Sequence, residues 1–244
     1  MKALNNILLR VDKSWRGILK EALCSLDGEY LIFLLKNEGY FPDIDNFLNA
    51  FKTLSLQDTR YILFGQDPYP RKESATGYAF IDGRVKDIFS KNGLSKEVNQ
   101  ATSLRNFIKM LLYTEGYLKD DLSQKSIASI DKNGLAKSIE DIRVNLERNG
   151  ILLLNTALIF TNKKDSKKHI KKWQNFIETI LLHLKNRKDI ELILFGNAAK
   201  DILKYDNAKE FRHHKFLHPY NVDFIQDKNV HKLFKSMRLI HIKH

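Results

Sequence analysis

The chain alternates short, continuously apolar runs with longer stretches in which apolar residues recur every three or four positions. "YILF" at Tyr61–Phe64, "ILLL" at Ile151–Leu154 and "ELILF" at Glu191–Phe195 are four or five residues long and almost wholly apolar. A strand covered on both faces needs that pattern, and parallel sheets flanked by helices are covered on both. A shorter run, "KFL" at Lys215–Leu217, reads as a fourth strand.

Helical spacing fills the intervals. Leu104, Phe107, Ile108, Leu111 and Leu112 share one helix face, with Thr102 or Ser103 as its N-cap. Ser138 and Asp141 have capping-box spacing, and Gly150 stands where that helix should stop. Trp173, Phe176, Ile177, Ile180, Leu181 and Leu184 form another face within 171–187, and "NVHKLFKSMRLIHI" reads as a closing helix. Strands alternating with helices predict an α/β fold. We expect one domain over 1–244, with a central, mostly parallel four-stranded sheet flanked by helices. The polar, weakly periodic stretch 115–137 reads as an excursion from that domain.

Each predicted strand ends in polar residues: Gln66 and Asp67, Asn155, Asn197, and His218. Ligands of open parallel sheets bind beyond the carboxyl ends of the strands. These five side chains are therefore expected to line one crevice.

Composition narrows the class. The chain has 244 residues, 43% hydrophobic, with only eleven glycines and four prolines, which suits one sizeable core and excludes a collagenous or disordered protein. Forty-one basic against 29 acidic residues give a net charge of +12. An excess of that size points to a polyanionic partner such as nucleic acid, although lysines spread along the whole chain also fit a general basic bias. Cys24 is the one cysteine, so a disulfide within the chain, a multi-thiolate zinc site and a four-cysteine iron–sulfur cluster are excluded. Its setting, "ILKEALCSL", predicts a buried position. No stretch reaches the ~18 apolar residues of a membrane span. The first residues also lack the pattern of a signal peptide, and a soluble, cytoplasmic protein is expected.

The hexapeptide "GQDPYP" at Gly65–Pro70 raises the chemical question. Gly, Asp and Pro after a strand make a turn, but two prolines also stiffen whatever the turn presents. Paired carboxylates flanking a scissile bond are not evident, nor is a Ser or Cys nucleophile beside a base, nor a phosphate-binding or dinucleotide-binding glycine motif. The eight histidines show no ligand spacing, and neither a metal nor a cofactor is expected. One carboxylate, several amides and one imidazole suit recognition of a planar polar ring. Asn reads an adjacent N–H and C=O together, Phe80 or Tyr69 is available to stack on the ring, and carboxylate and imidazole stabilise opposite developing charges. On a basic chain, that ring would be a nucleic-acid base.

At these residues the sequence resembles the family 1 uracil-DNA glycosylases. "GQDPYP" is similar to their water-activating loop, usually GQDPYH, and "GYAF", "ATSLRNFIKML", "GILLLNTAL", "ILFGNAA" and "LHPYNV" follow in the family's order. "DKSWRGIL" and "YFPDIDNFLNAF" have counterparts too, so that the likeness spans nearly everything except 83–99 and 115–137.

The resemblance implies a three-layer glycosylase fold and a monomeric enzyme that flips uracil out of single- or double-stranded DNA. By the same resemblance Phe80 stacks on the base, Asn155 reads its edge, Gln66 contacts it through the backbone and Tyr69 excludes a 5-methyl group. Asp67 stabilises the sugar cation and orients water, and neutral His218 donates to the departing uracil. Pro70, Ser103, Gly196, Asn197, Pro219, Tyr220 and Val222 fall at the family's DNA-gripping positions.

Several depart from the pattern. Pro70 replaces a histidine, Asn197 and Tyr220 replace serines, Val222 replaces a wedging leucine, and "NQAT" stands in place of prolines before Ser103. The resemblance therefore implies retained uracil chemistry with an altered grip on duplex DNA. Lysines in "TNKKDSKKH", namely Lys163, Lys164, Lys167 and Lys168, are candidate phosphate contacts, a solvated loop being the alternative. A DNA-binding accessory protein with weak or absent catalysis is the alternative, as is a glycosylase of another base specificity.

Overall fold

The apolar runs become strands β1 (Tyr61–Gly65), β4 (Ile151–Asn155), β5 (Glu191–Phe195) and β6 (Arg212–Phe216) of one four-stranded sheet, in the order β4-β1-β5-β6. Between them in sequence, β2 (Phe89–Ser90) and β3 (Gly93–Leu94) pair as a small antiparallel ladder. The structure is a computed structural model and describes residues 2–36 and 38–242.

β1 runs parallel to both β4 and β5, and Ile62, Leu152 and Leu192 lie level, as do Phe64, Leu154 and Leu194. These six face a core that includes Leu19, Leu23, Trp173, Phe176 and Ile180. Leu63, Leu153 and Ile193 point the other way and are just as buried. Cover on both faces is why these strands read as unbroken apolar runs.

Eleven α-helices lie among the described residues: α1 (Lys2–Leu9), α2 (Arg16–Cys24), α3 (Gly28–Lys36), α4 (Lys96–Gln100), α5 (Thr102–Thr114), α6 (Gln124–Ala128), α7 (Ile139–Arg148), α8 (Ser166–Lys172), α9 (Gln174–Leu184), α10 (Ala198–Ile202) and α11 (Lys228–Phe234). The fold is α/β, with a mostly parallel four-stranded sheet flanked by helices.

The chain divides into two compact units, each discontinuous in sequence. The first comprises the residues up to Asp82 together with Gly150–His214, and holds β1, β4, β5, α1–α3 and α8–α10. The second comprises Gly83–Asn149 together with the residues from Lys215 on, and holds β2, β3, α4–α7 and α11. β6 carries the chain from one to the other. In the second unit Phe107 of α5 stacks near Phe224 and meets Phe234 edge to face, at centroid distances of 6.3 and 5.5 Å. The polar stretch 115–137 contributes α6 to this unit and buries Leu118, Ile127 and Leu135. The Gln124 side chain accepts from the Leu94 amide at 2.7 Å.

Local signals fared unevenly. The Ser138–Asp141 capping box opens α7 as its spacing predicts. Gly150 takes φ +74°, and a Cβ there would lie 2.6 Å from the Asp58 carbonyl. All six residues of the Trp173 face are buried, but α9 begins only at Gln174, after a break at Trp173 that separates it from α8.

β6 starts three residues before "KFL", at exposed Arg212 and His213, and ends before Leu217. It is an edge strand, half in solvent, so backbone pairing defines it rather than apolarity. α5 has Ala101 at its N-cap and no side-chain cap, because α4 runs directly into it. The closing helix stops at Phe234, and after one tighter turn Arg238 adopts φ +49°, which a right-handed helix cannot pass through. Cys24 is exposed. It ends α2 on the side away from Leu19, Ala22 and Leu23, which are the buried positions of that helix.

Candidate active site

The loop after β1 is held by its own backbone. Thr156 donates its amide to the Gly65 carbonyl at 3.0 Å, and the Gln66 carbonyl accepts from the Ala157 amide at 2.9 Å and the Thr156 hydroxyl at 2.6 Å. Gly65 lies level with Asn155 across the β1–β4 ladder. A Cβ on Gly65 would collide with the Asn155 Oδ1 and stand 2.9 Å from the Ala79 Cβ, so this position admits no side chain without moving Asn155. The Gln66 side chain and Pro70 are exposed, Pro68 is buried, and Asp67 and Tyr69 are half-buried. Each proline drives the residue before it into extended geometry, which here restricts Asp67 and Tyr69.

Burial raises the Asp67 pKa above the ordinary carboxylate value, and a hydrogen bond from the Ser166 hydroxyl to Oδ2, at 2.5 Å, opposes the rise. Asn155 ends β4 at 4% exposure. Its Oδ1 stands against Gly65, where the missing side chain leaves it room.

Phe80 adopts φ +69°, a left-handed conformation rare for a bulky residue and costing roughly 1–3 kcal/mol. The preceding Ala79 donates its amide to the Leu153 carbonyl of β4 at 3.0 Å, which anchors the turn to the sheet. The Phe80 ring lies 6.2 Å from that of Phe195, tilted 55°. The Tyr69 hydroxyl points to the Phe80 carbonyl at 3.4 Å, and burial together with Asp82 raises its pKa, keeping the phenol neutral. Gly196, at φ +55°, and exposed Asn197 turn the chain from β5 into α10. Lys163, Lys164, Lys167 and Lys168 are all exposed. In the first unit Gln66, Asp67 and Tyr69 follow the carboxyl end of β1, Asn155 ends β4 beside it, and the Phe80 ring lies near Phe195 at the end of β5.

The other candidates belong to the second unit. Ser103 lies in the first turn of α5. His218 follows β6, and its Nδ1 accepts the backbone N–H of Tyr220 at 3.1 Å. A backbone amide only donates, so Nδ1 carries no proton and the neutral ring bears its hydrogen on Nε2. His218 is reachable from solvent, yet the protein around the ring disfavours its charged form and lowers its pKa. Pro219 is buried, whereas Tyr220 and Val222 are 71% and 62% exposed. The buried Asn106 side chain donates to the carbonyls of Pro219 at 2.8 Å and Tyr220 at 3.4 Å, fixing the loop from within its own unit.

Sequence reasoning did not single out Ser166 or Asn106. Ser166 sits in a lysine-rich segment that reads as solvated, and Asn106 interrupts an apolar helix face without matching any motif.

The carboxyl ends of β1 and β4 thus carry a carboxylate and an amide, with a strained aromatic turn anchored to β4 beside them. A family model described as the uracil DNA glycosylase superfamily matches residues 51–239, and the chain belongs to that superfamily. It is 47% identical to the wild-type UNG of Nitratifractor salsuginis, whose crystal structure superposes with a TM-score of 0.96 over 99% of this chain and 97% of that one. The uracil-DNA glycosylases of Fusobacterium nucleatum and Clostridioides difficile are each 28% identical. They cover 86% and 84% of this chain, and the matches span 82% and 80% of those proteins. Mimivirus uracil-DNA glycosylase, 17% identical with a TM-score of 0.57 over 87% of this chain and 71% of that one, shares the fold.

Proposed function

We propose that the protein is a uracil-DNA glycosylase, hydrolysing the N-glycosidic bond of uracil in DNA to release the free base and leave an abasic site. The observation that carries this reading is Asn155: a residue 4% exposed that ends the strand next to the one presenting Asp67, with its Oδ1 set against Gly65, where no side chain fits. Its C=O and N–H match the N3–H and O4 edge of uracil, and inverted pairing at that edge disfavours cytosine. Phe80 stacks on the flipped base, Tyr69 fills the space a thymine methyl would need, and Gln66 contributes backbone contact.

As the C1′–N1 bond breaks, its electron pair leaves with uracil and positive charge develops on the sugar. Ionised Asp67 stabilises that cation and orients the water whose oxygen bonds to C1′. The neutral His218 ring, protonated on Nε2, donates to uracil O2 and stabilises the departing anion. The tautomer of His218, and the burial that lowers its pKa from the ordinary imidazole value, support this part.

Pro70, Ser103, Gly196, Asn197, Pro219, Tyr220 and Val222 contact the DNA backbone or grooves, and the exposed lysines of 163–168 add phosphate contacts. The enzyme acts as a monomer, on single- and double-stranded substrates, in the cytoplasm where its DNA lies. No helix among the described residues is long and apolar enough to cross a membrane.

The test is incubation in EDTA with single-stranded uracil DNA and with U·A, U·G and T·G duplexes, followed by alkaline cleavage of abasic sites. Cleavage at uracil alone is expected. DNA binding without release of uracil would overturn the reading. Reversing the charges of Lys163, Lys164, Lys167 and Lys168 should weaken binding and lower the salt slope by about 0.7–0.9 for each phosphate no longer neutralised.

A further inference from the structure

The carboxylate of Asp67 has a fixed neighbour that the motif around it does not supply. Ser166, the first residue of α8, is 9% exposed, and its single hydroxyl proton goes to Asp67 Oδ2. The hydroxyl has no role in capping α8: Asp165 occupies the N-cap, and no side chain caps the helix there. One turn on, His169 is buried and held at both ring nitrogens, by the Tyr30 hydroxyl at Nδ1 (2.7 Å) and the Thr161 hydroxyl at Nε2 (2.9 Å). Its amide also bonds the Asp165 carbonyl at 2.9 Å. The first turn of α8 is therefore clamped to the body of its unit where Ser166 meets Asp67.

Resting on the glycosylase reading, we propose that Ser166 is a positioning residue for the reaction: it holds Oδ2 of Asp67, fixes the carboxylate plane, and leaves Oδ1 to face the sugar and the attacking water. A half-buried carboxylate that must be ionised needs such a donor, because a hydrogen bond to the charged form offsets desolvation. Both effects act on Asp67, burial raising its pKa and Ser166 lowering it. His169 is the titratable group that acts electrostatically on Asp67, and Asp165 and Lys168 act on His169 in turn. Burial lowers the His169 pKa, so it stands behind the carboxylate mainly as a neutral ring.

The experiment compares wild type, Ser166→Ala and Ser166→Thr for uracil release from pH 4.5 to 8.5 (roughly the range over which a shifted carboxylate and a histidine titrate), with melting temperatures recorded alongside. For Ser166→Ala the acid limb of kcat should move up by about one pH unit, lowering kcat roughly tenfold near its foot. KM should stay within about twofold, since a group acting on the transition state alone changes kcat and not KM. Ser166→Thr, which keeps the hydroxyl, should restore the wild-type limb. His218 titrates in all three proteins alike, so the difference between curves reports Asp67. An acid limb unmoved in Ser166→Ala, or moved equally in Ser166→Thr, would overturn the assignment even if melting temperatures fell. Absence of uracil release by wild type would instead strike the glycosylase reading itself.

Discussion

The loop after β1 and the loop after β6 are built to the same outline and finished differently. Each leaves a strand of the sheet, and each sets a proline directly behind a candidate catalytic residue, Asp67-Pro68 in one and His218-Pro219 in the other. The first is tied to β4 through the carbonyls of Gly65 and Gln66 and to α8 through Ser166, and its working side chains are half-buried or buried. The second is tied through two carbonyls to Asn106, and its side chains Leu217, Tyr220 and Val222 stand in solvent.

The departures from the family pattern sort accordingly. Asp67, Tyr69, Phe80 and Asn155, half-buried or buried, keep the residue types of the resemblance, as do exposed Gln66 and His218, while Pro70, Asn197, Tyr220 and Val222 are replacements at exposed positions and "NQAT" is one at partly exposed positions. A side chain fixed by packing, strain and a close glycine cannot be exchanged without moving its neighbours. One that faces solvent is exchanged at little cost to folding. The difference separates two sets of candidate residues: one fixed by its own unit, the other facing solvent.

The largest expected effect lies in the first loop. Asp67→Asn should lower kcat by roughly 10²–10⁴-fold with DNA binding retained, measured by single-turnover release and by fluorescence anisotropy. Asn155→Ala should cost about 1–3 kcal/mol of base discrimination, near a hundredfold in kcat/KM at most. Gly65→Ala should reproduce much of that loss, because the added methyl group would push the Asn155 amide out of place. A Gly65→Ala enzyme with full activity would show that Asn155 is not held where the structure has it.

In the second loop, Tyr220→Ser should change kcat/KM by less than about tenfold and act on duplex more than on single strands, since exposed substitutions away from the chemistry are energetically small. A hundredfold loss on single-stranded substrate would erase the distinction between the loops.

The smallest effect is on stability. The folded-state pKa of Asp67 is raised, so the protonated carboxyl is the form the fold prefers. Its stabilising contribution is complete below the unfolded pKa of ~3.9 and is lost as pH rises through the higher folded value. Asp67→Asn should therefore melt above wild type at pH 7, with the gap closing towards pH 4. A lower melting temperature at neutral pH would mean that the charged carboxylate is satisfied better than its burial implies.

Local regularities are what the sequence by itself determined. Strands β1, β4 and β5 were legible because burial on both faces leaves an unbroken apolar run. The α9 face and the α7 capping box were legible because helical spacing and cap chemistry act over three or four residues. The turn that "GQDP" makes after β1 was legible because Gly, Asp and Pro are turn residues and follow directly on an apolar run.

Tertiary structure decided the rest. Edge strand β6 is defined by a partner and not by its own composition, and Cys24 lies on the outer side of a helix whose facing only packing reveals. Ser166 reaches Asp67 across 99 positions, and Asn106 reaches Pro219 across 113. Phe80 is held in a left-handed conformation that nothing in "GYAF" announces. These features rest on hydrogen bonds and close approaches between segments far apart in the chain. Such contacts leave no period and no cap in the sequence, because the partner that makes each one favourable is supplied by the fold.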